Sequence, residues 1–241
     1  GYGAAPGSRA CFQRAAEYLA GFAAAGAPVR LVTGNHDLEG AEFDTDAANL
    51  ACWREVLGQA SHFWAEEVGG VLCVGLSTTR FRDAPLSSHE VWVDAEQLQW
   101  FEAQLERNAA RAAPRPVLVF THAPPAGSGL RSLPEVHVKN GCAWLNHSAA
   151  CEGSRGAFMR LVRRHPQVRL WFSGHFHLSQ DYPDSISVRH GCAFVQLGVI
   201  GDRAHRDGRR QSRLVRGDAS KCQVLTLDHG TGAVRVDLEV P

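Results

Sequence analysis

The chain has 241 residues, 44% of them apolar, with 25 basic and 25 acidic side chains. That length supports one domain with a sizeable core, and the ordinary apolar fraction excludes a disordered chain. The balanced charge gives no global attraction to nucleic acid or to an anionic membrane surface.

The first residues, Gly1-Tyr2-Gly3, form no basic-then-apolar signal sequence. From Ser8, which can cap a helix, Phe12, Ala15, Leu19 and Phe22 recur at helical spacing until Gly26 and Pro28. Val29 to Val32 reads as a short buried strand ending at Gly34, and Val71 to Leu76 as a second. Asp94 followed by Gln97 starts another helix, with Leu98, Phe101 and Leu105 on its apolar face and Trp100 at the edge, before Pro114. Val117 to Phe120 is a third strand. Pro124 to Glu152 has no period and reads as a long loop, a length usually tied to function.

Ser154 caps a short helix carrying Phe158, Leu161 and Val162, stopped by Pro166. Val168 to Phe172 and Ala193 to Val199 are two further strands. Gln223 to Leu227 and Val234 to Leu238 pair as a hairpin around Asp228 to Gly232. The arginine-rich stretch from Arg203 to Arg216 reads as a solvated loop, with a phosphate-facing patch as the alternative. Helices and strands alternate first and strands dominate the end, so the expected architecture is a single α/β domain over residues 1–241. No apolar run approaches the ~20 residues that a membrane span needs.

Seven cysteines are scattered without a Cys-x-x-Cys pair, which excludes a zinc ribbon. Free thiols in a reducing compartment such as the cytoplasm are expected, with a Cys142–Cys151 loop disulfide as the alternative.

Three strands run directly into loops rich in metal-ligand residue types. They are Val32-Thr33-Gly34-Asn35-His36-Asp37, Phe120-Thr121-His122-Ala123 and Phe172-Ser173-Gly174-His175-Phe176-His177. Ligand sites of layered α/β folds gather beyond the C-terminal ends of strands, where loops distant in sequence meet. One His after a strand is usually a turn residue. His-x-His after Gly is more specific, and Gly-Asn-His-Asp more specific again. His62, His89, His165, His190, His205 and His229 stand in no motif and read as surface or turn residues. His137, Asn140, Asn146 and His147 lie in the long loop where substrate-facing residues could sit; Trp144 beside them reads as packing.

Taken together, Gly34-Asn35-His36-Asp37, His122 and Gly174-His175-Phe176-His177 resemble the second half of the calcineurin-like metallophosphoesterase signature. The spacing is similar to that of purple acid phosphatases and of the cyclic-nucleotide phosphodiesterases of this fold. The resemblance implies a β-sandwich flanked by helices. It implies hydrolysis of phosphoesters, as a phosphatase or phosphodiesterase, by a hydroxide activated between two divalent metals (Mn, Fe or Zn). It would give Asn35, His122 and His175 to one metal and His177 to the other. His36 would be the general acid, with Asp37 accepting from its ring. A small-molecule or nucleotide phosphoester is the implied substrate, with no membrane or nucleic-acid partner.

The sequence departs from that family at one end. No Asp-x-His occurs anywhere in the chain, and no Gly-Asp precedes Gly34. Gly201-Asp202 and Gly217-Asp218 come after the signature and read as turns. The chain starts at Gly1 and its one Met is Met159. The expectation is a domain truncated at its N-terminus, holding at most one ion weakly by itself. The alternative is a metal-poor member of the fold serving as a protein-binding scaffold.

Overall fold

The structure, a computed structural model, describes residues 5–84, 90–133, 144–146, 156–201, 206–218 and 220–240. The Cys142–Cys151 pairing, the Ser154 cap, and His89, His137, Asn140, His147, Asp202 and His205 lie outside them.

Helix α1 spans Arg9–Ala24, and the Ser8 side chain accepts from the Cys11 N–H as its cap. The expected helical stripe is only partly used. Phe12 is buried, whereas Tyr18 and Phe22 remain 62% and 46% exposed. Helix α1 packs on α2 (Asp46–Val56) through the cluster of Phe12, Cys52 and Trp53. Its other flank instead lines an apolar groove of about 270 Å³ with Leu19, Leu31 and Val56.

Among the described residues nine strands follow in chain order: β1 (Trp64–Val68), β2 (Val71–Leu76), β3 (Val117–Thr121), β4 (Val168–Ser173), β5 (Ile186–Arg189), β6 (Cys192–Gln196), β7 (Gln211–Gly217), β8 (Cys222–Asp228) and β9 (Val234–Val240). Helices α3 (Ala95–Ala109) and α4 (Ala157–Arg164) lie between β2 and β3 and between β3 and β4. Six strands form one sheet in the order β1-β2-β3-β4-β6-β5, and β7-β8-β9 form a second. The pairs β2–β3, β3–β4 and β4–β6 are parallel. Each of these strands is apolar on both faces, as parallel strands covered on two sides are.

One face carries α3 and α4 through Phe101, Leu105, Phe158, Leu161 and Trp171. The other packs Leu118, Leu170, Phe172 and Val195 against Cys222 and Val224 of β8. Two sheets face to face with helices outside is the sandwich expected. Among the described residues, no helix is long and apolar enough to cross a membrane.

Four local expectations are corrected. Residues 29–32 form no strand, and β1 and β3 already flank β2 on both sides. Side chains stand in for a ladder there: Trp64 Nε1 donates to the Leu31 carbonyl at 2.9 Å, and Arg30 pairs with Glu66. Residues 211–217 of the arginine-rich stretch are strand β7 rather than loop, and the Arg213 side chain is 2% exposed. His165 is buried at the end of α4, within hydrogen-bond distance of Arg164 and Gln167, and His62 is partly buried. Helix α2 and strands β1 and β5 have no counterpart in the sequence reading; β1 and β5 alternate too weakly, with Glu66, Glu67 and Arg189 in short runs.

Candidate metal centre

Strand register explains why residues far apart in sequence meet. In the β3–β4 pair Thr121 stands opposite Ser173, and the ladder continues one step, with Gly174 N–H donating to the His122 carbonyl at 2.9 Å. His122 and His175 therefore leave neighbouring strands at the same level. The β3 end is fixed from the core side, where Trp171 Nε1 donates to the buried Thr121 hydroxyl at 2.8 Å. On the other flank Leu76 of β2 pairs with Thr121. Just beyond it Ser77 Oγ accepts from Thr33 N–H at 2.9 Å, and the Thr33 hydroxyl donates to the Thr78 carbonyl at 2.5 Å. That pins Gly34 and Asn35 beside the same strand end.

Gly34 is required by close approach rather than by its φ. A Cβ built there would lie 2.7 Å from the His122 ring. Gly34 N–H donates to Asp37 Oδ2 at 2.6 Å, which closes a 3₁₀ turn over Asn35–Leu38. Asn35, 1% exposed, is thereby turned inward.

The three predicted donors of one metal converge. His122 Nε2 lies 2.8 Å from Asn35 Oδ1 and 2.9 Å from His175 Nδ1. Two metal bonds of ~2.1 Å meeting at about 90–109° place their donor atoms roughly 3.0–3.4 Å apart, so these spacings approach the edges of a coordination polyhedron. Burial, with the charges of His36 and His177 adding to it, pushes the His122 imidazole down to about 3. The ring is thus neutral and keeps a lone pair, as a metal ligand must. A neutral Nε2 carries either one proton or one lone pair, so it cannot donate to one of these neighbours while accepting from the other; a shared cation would satisfy all three atoms. The donor chemistry fits a divalent ion.

The His175-Phe176-His177 turn is strained. His175 and His177 have φ of 75° and 55°, left-handed values that β-carbon-bearing residues seldom adopt. Each costs about 1–3 kcal/mol and persists where surrounding structure enforces it, most often at functional sites. Phe176 between them is fully buried, with the Trp144 ring edge-on at 5.8 Å, so Trp144 packs as expected. His177 lies near enough for its charge to act on His122. Among the described residues no three His, Cys, Asp or Glu side chains group as a metal-holding set, so Asn35 completes the triad seen here.

His36 projects outward, its side chain 53% exposed. The structure corrects its expected partner: Nδ1 lies 2.8 Å from Glu39 Oε1, while Asp37 accepts from Gly34. A 3₁₀ turn brings residues three apart onto one side, so His36 meets Glu39 while Asp37 closes the turn. Burial raises the Asp37 carboxyl to about 6. Glu39 escaped the sequence reading; its one signal was the i,i+3 spacing from His36. Asn146 is structural: its side-chain oxygen accepts from Val93 N–H at 2.6 Å.

A family model described as calcineurin-like phosphoesterase matches residues 6–179. The chain belongs to the calcineurin-like phosphoesterase family. The match takes in Asn35, His36, Asp37, His122, His175 and His177. A dimetal phosphatase from Danio rerio has the same fold, with a TM-score of 0.61, 16% identity, and 95% of this chain and 78% of that one covered. A Vps29 single mutant from Entamoeba histolytica is 14% identical over 71% of this chain and 99% of its own, and the zinc complex of wild-type Vps29 is 14% identical over 70% and 97%. Both give a TM-score of 0.27, too low to indicate the same fold. A search of curated proteins returns no match.

Proposed function

We propose that the protein hydrolyses phosphoesters through a divalent-metal centre whose first ion is held by Asn35, His122 and His175. The observation that carries this reading is the contact of His122 Nε2 with both Asn35 Oδ1 and His175 Nδ1, at 2.8 and 2.9 Å. When bound, such an ion acts as a Lewis acid toward phosphoryl oxygens and lowers the pKa of water.

The chain's own residues divide the remaining work. His177 is the donor this chain offers to a second ion. His36, at the rim and oriented by Glu39, is placed to give a proton or hydrogen bond to the leaving oxygen. Gly34 keeps the His122 ring seated, and Asp37 holds the turn that directs Asn35 inward. A small-molecule or nucleotide phosphoester is the substrate class in this reading.

The test is hydrolysis of an aryl phosphate and an aryl diester in added Mn²⁺. Turnover lost in His175→Ala supports the reading. Turnover of both esters that survives His122→Ala and His175→Ala would overturn it. With an alkyl ester His36→Ala should cost ~10²–10⁴-fold, and much less with an aryl ester whose leaving group needs no proton. Equal losses would remove His36 from the acid role.

A further inference from the structure

Arg206 comes from the segment between β6 and β7, roughly 30 residues beyond the His-x-His turn it meets. Its backbone N–H donates to the His177 carbonyl at 3.1 Å, and its Nε donates to the Phe176 carbonyl at 3.0 Å. These are consecutive carbonyls inside the left-handed turn that carries both imidazoles.

We propose that Arg206 is a positioning residue for the metal centre, holding the His175-Phe176-His177 turn in the strained form that aims the two imidazoles. The inference rests on the metal reading above. The turn is anchored at its start by the Gly174 bond to His122 and by Phe176 N–H donating to the Gly174 carbonyl at 3.0 Å. After the turn, the Leu178 carbonyl accepts from Gln196 Nε2 at 3.0 Å. Between those anchors one residue, Arg206, donates to the carbonyls of both Phe176 and His177. A two-point clamp fixes a peptide's tilt as well as its place. The peptide tilt sets the direction of the Cα–Cβ bond, and so where each ring nitrogen points. Groups that orient metal ligands from behind typically govern metal affinity by ~10–100-fold.

Charge and positioning predict opposite signs. A guanidinium acting only through its charge would repel a divalent ion, so its removal would tighten binding. A guanidinium that holds the turn would weaken binding when removed. The backbone bond survives any substitution, so the side-chain contribution is isolated.

The experiment is a Mn²⁺ titration followed by electron paramagnetic resonance. It compares the wild type with Arg206→Ala, Arg206→Gln and His175→Ala, alongside thermal melting of the metal-free proteins. Arg206→Ala should bind Mn²⁺ ~10-fold more weakly, with its metal-free melting temperature close to wild type. Arg206→Gln retains an N–H donor without the charge and should recover part of that loss. Unchanged or tighter binding in Arg206→Ala, with binding abolished in His175→Ala, would overturn the clamp and leave the metal reading standing. Wild-type binding in His175→Ala would overturn the metal reading and the clamp with it. If Arg206→Ala does not fold, Arg206→Gln and Arg206→Met are compared: tighter Mn²⁺ binding in Arg206→Gln than in Arg206→Met supports the hydrogen bond, and equal binding in both overturns it.

Discussion

Two polar regions of this molecule, joined by the short stretch from His177 to Asp181, are built on opposite terms. At the strand ends, Asn35, His122 and His175 bring neutral donors together, and burial holds His122 uncharged. At the junction of the two sheets, Asp181 meets Arg209, Arg235 and Gln211, and Asp237 meets Arg213, Arg235 and Thr226. Asp181 and His122 are both shifted downward, yet for unlike reasons. Burial alone would raise Asp181, but hydrogen bonds from Gln211, Arg235 and Arg209 outweigh it and hold the carboxylate at about 2. His122 is lowered because burial disfavours its charged form. The junction sets each of these charges against an opposite one. The strand-end cluster brings neutral donor atoms within 2.9 Å of one another beside a strained turn, an arrangement that a cation could share.

That contrast is sharpest in a pair of substitutions with different readouts. Asp237→Ala strips the counter-ion from Arg213, whose side chain is 2% exposed. Removing one partner of a buried pair costs about 3–5 kcal/mol, to be read by urea unfolding, with metal affinity little changed. Replacing both partners, as Asp237→Ala with Arg213→Met, should destabilise less than Asp237→Ala alone. Were the single variant as stable as wild type, the junction would not be a structural ion-pair network.

Gly34→Ala should act on the other region. Its Cβ would meet the His122 ring at 2.7 Å, and overpacking of this kind costs about 1–3 kcal/mol. Because the displaced atom group is a donor ring, metal affinity should fall by more than the stability loss accounts for. Calorimetric titration beside unfolding separates the two, and a loss of stability with unchanged affinity would count against His122 as a donor.

The smallest effect is in pH. Asp181 has a folded value of about 2 against an unfolded value near ~3.9. Its contribution to stability is therefore complete above about pH 4 and lost as pH falls through about 2. Wild type should lose more stability across that interval than Asp181→Asn, measured by urea midpoints. Equal slopes would mean that the Arg209 and Arg235 contacts do not hold in solution.

The sequence made the strand-end region readable and the junction nearly opaque. His122, His175 and His177 each follow an apolar strand and Asn35 follows a short apolar run, so their placement came from chain order and local type. The Arg213–Asp237 pair joins strands of different hairpin arms and depends on register, which composition does not encode; Arg213 looked like one more charge in a solvated loop. Helix α3 was legible because Asp94 and Gln97 act locally, and Gln97 then reaches across to Ser77, which no local pattern foretells. Residues 29–32 carried a strand's composition but pair with no strand of the sheet, and side-chain contacts from Trp64 and Glu66 hold them beside β1 instead. The swap of Asp37 for Glu39 beside His36 is likewise a matter of turn geometry, since both carboxylates lie within reach in sequence.

The most direct measurement is the divalent metal content of the 241-residue chain after exposure to Mn²⁺ and dialysis, for wild type, His122→Ala and His175→Ala. Three neutral donors at one centre, and His177 as the donor for a second, should retain about one ion per chain, held weakly. Both variants should retain none. Metal content unchanged in both variants would contradict a first metal position built from Asn35, His122 and His175.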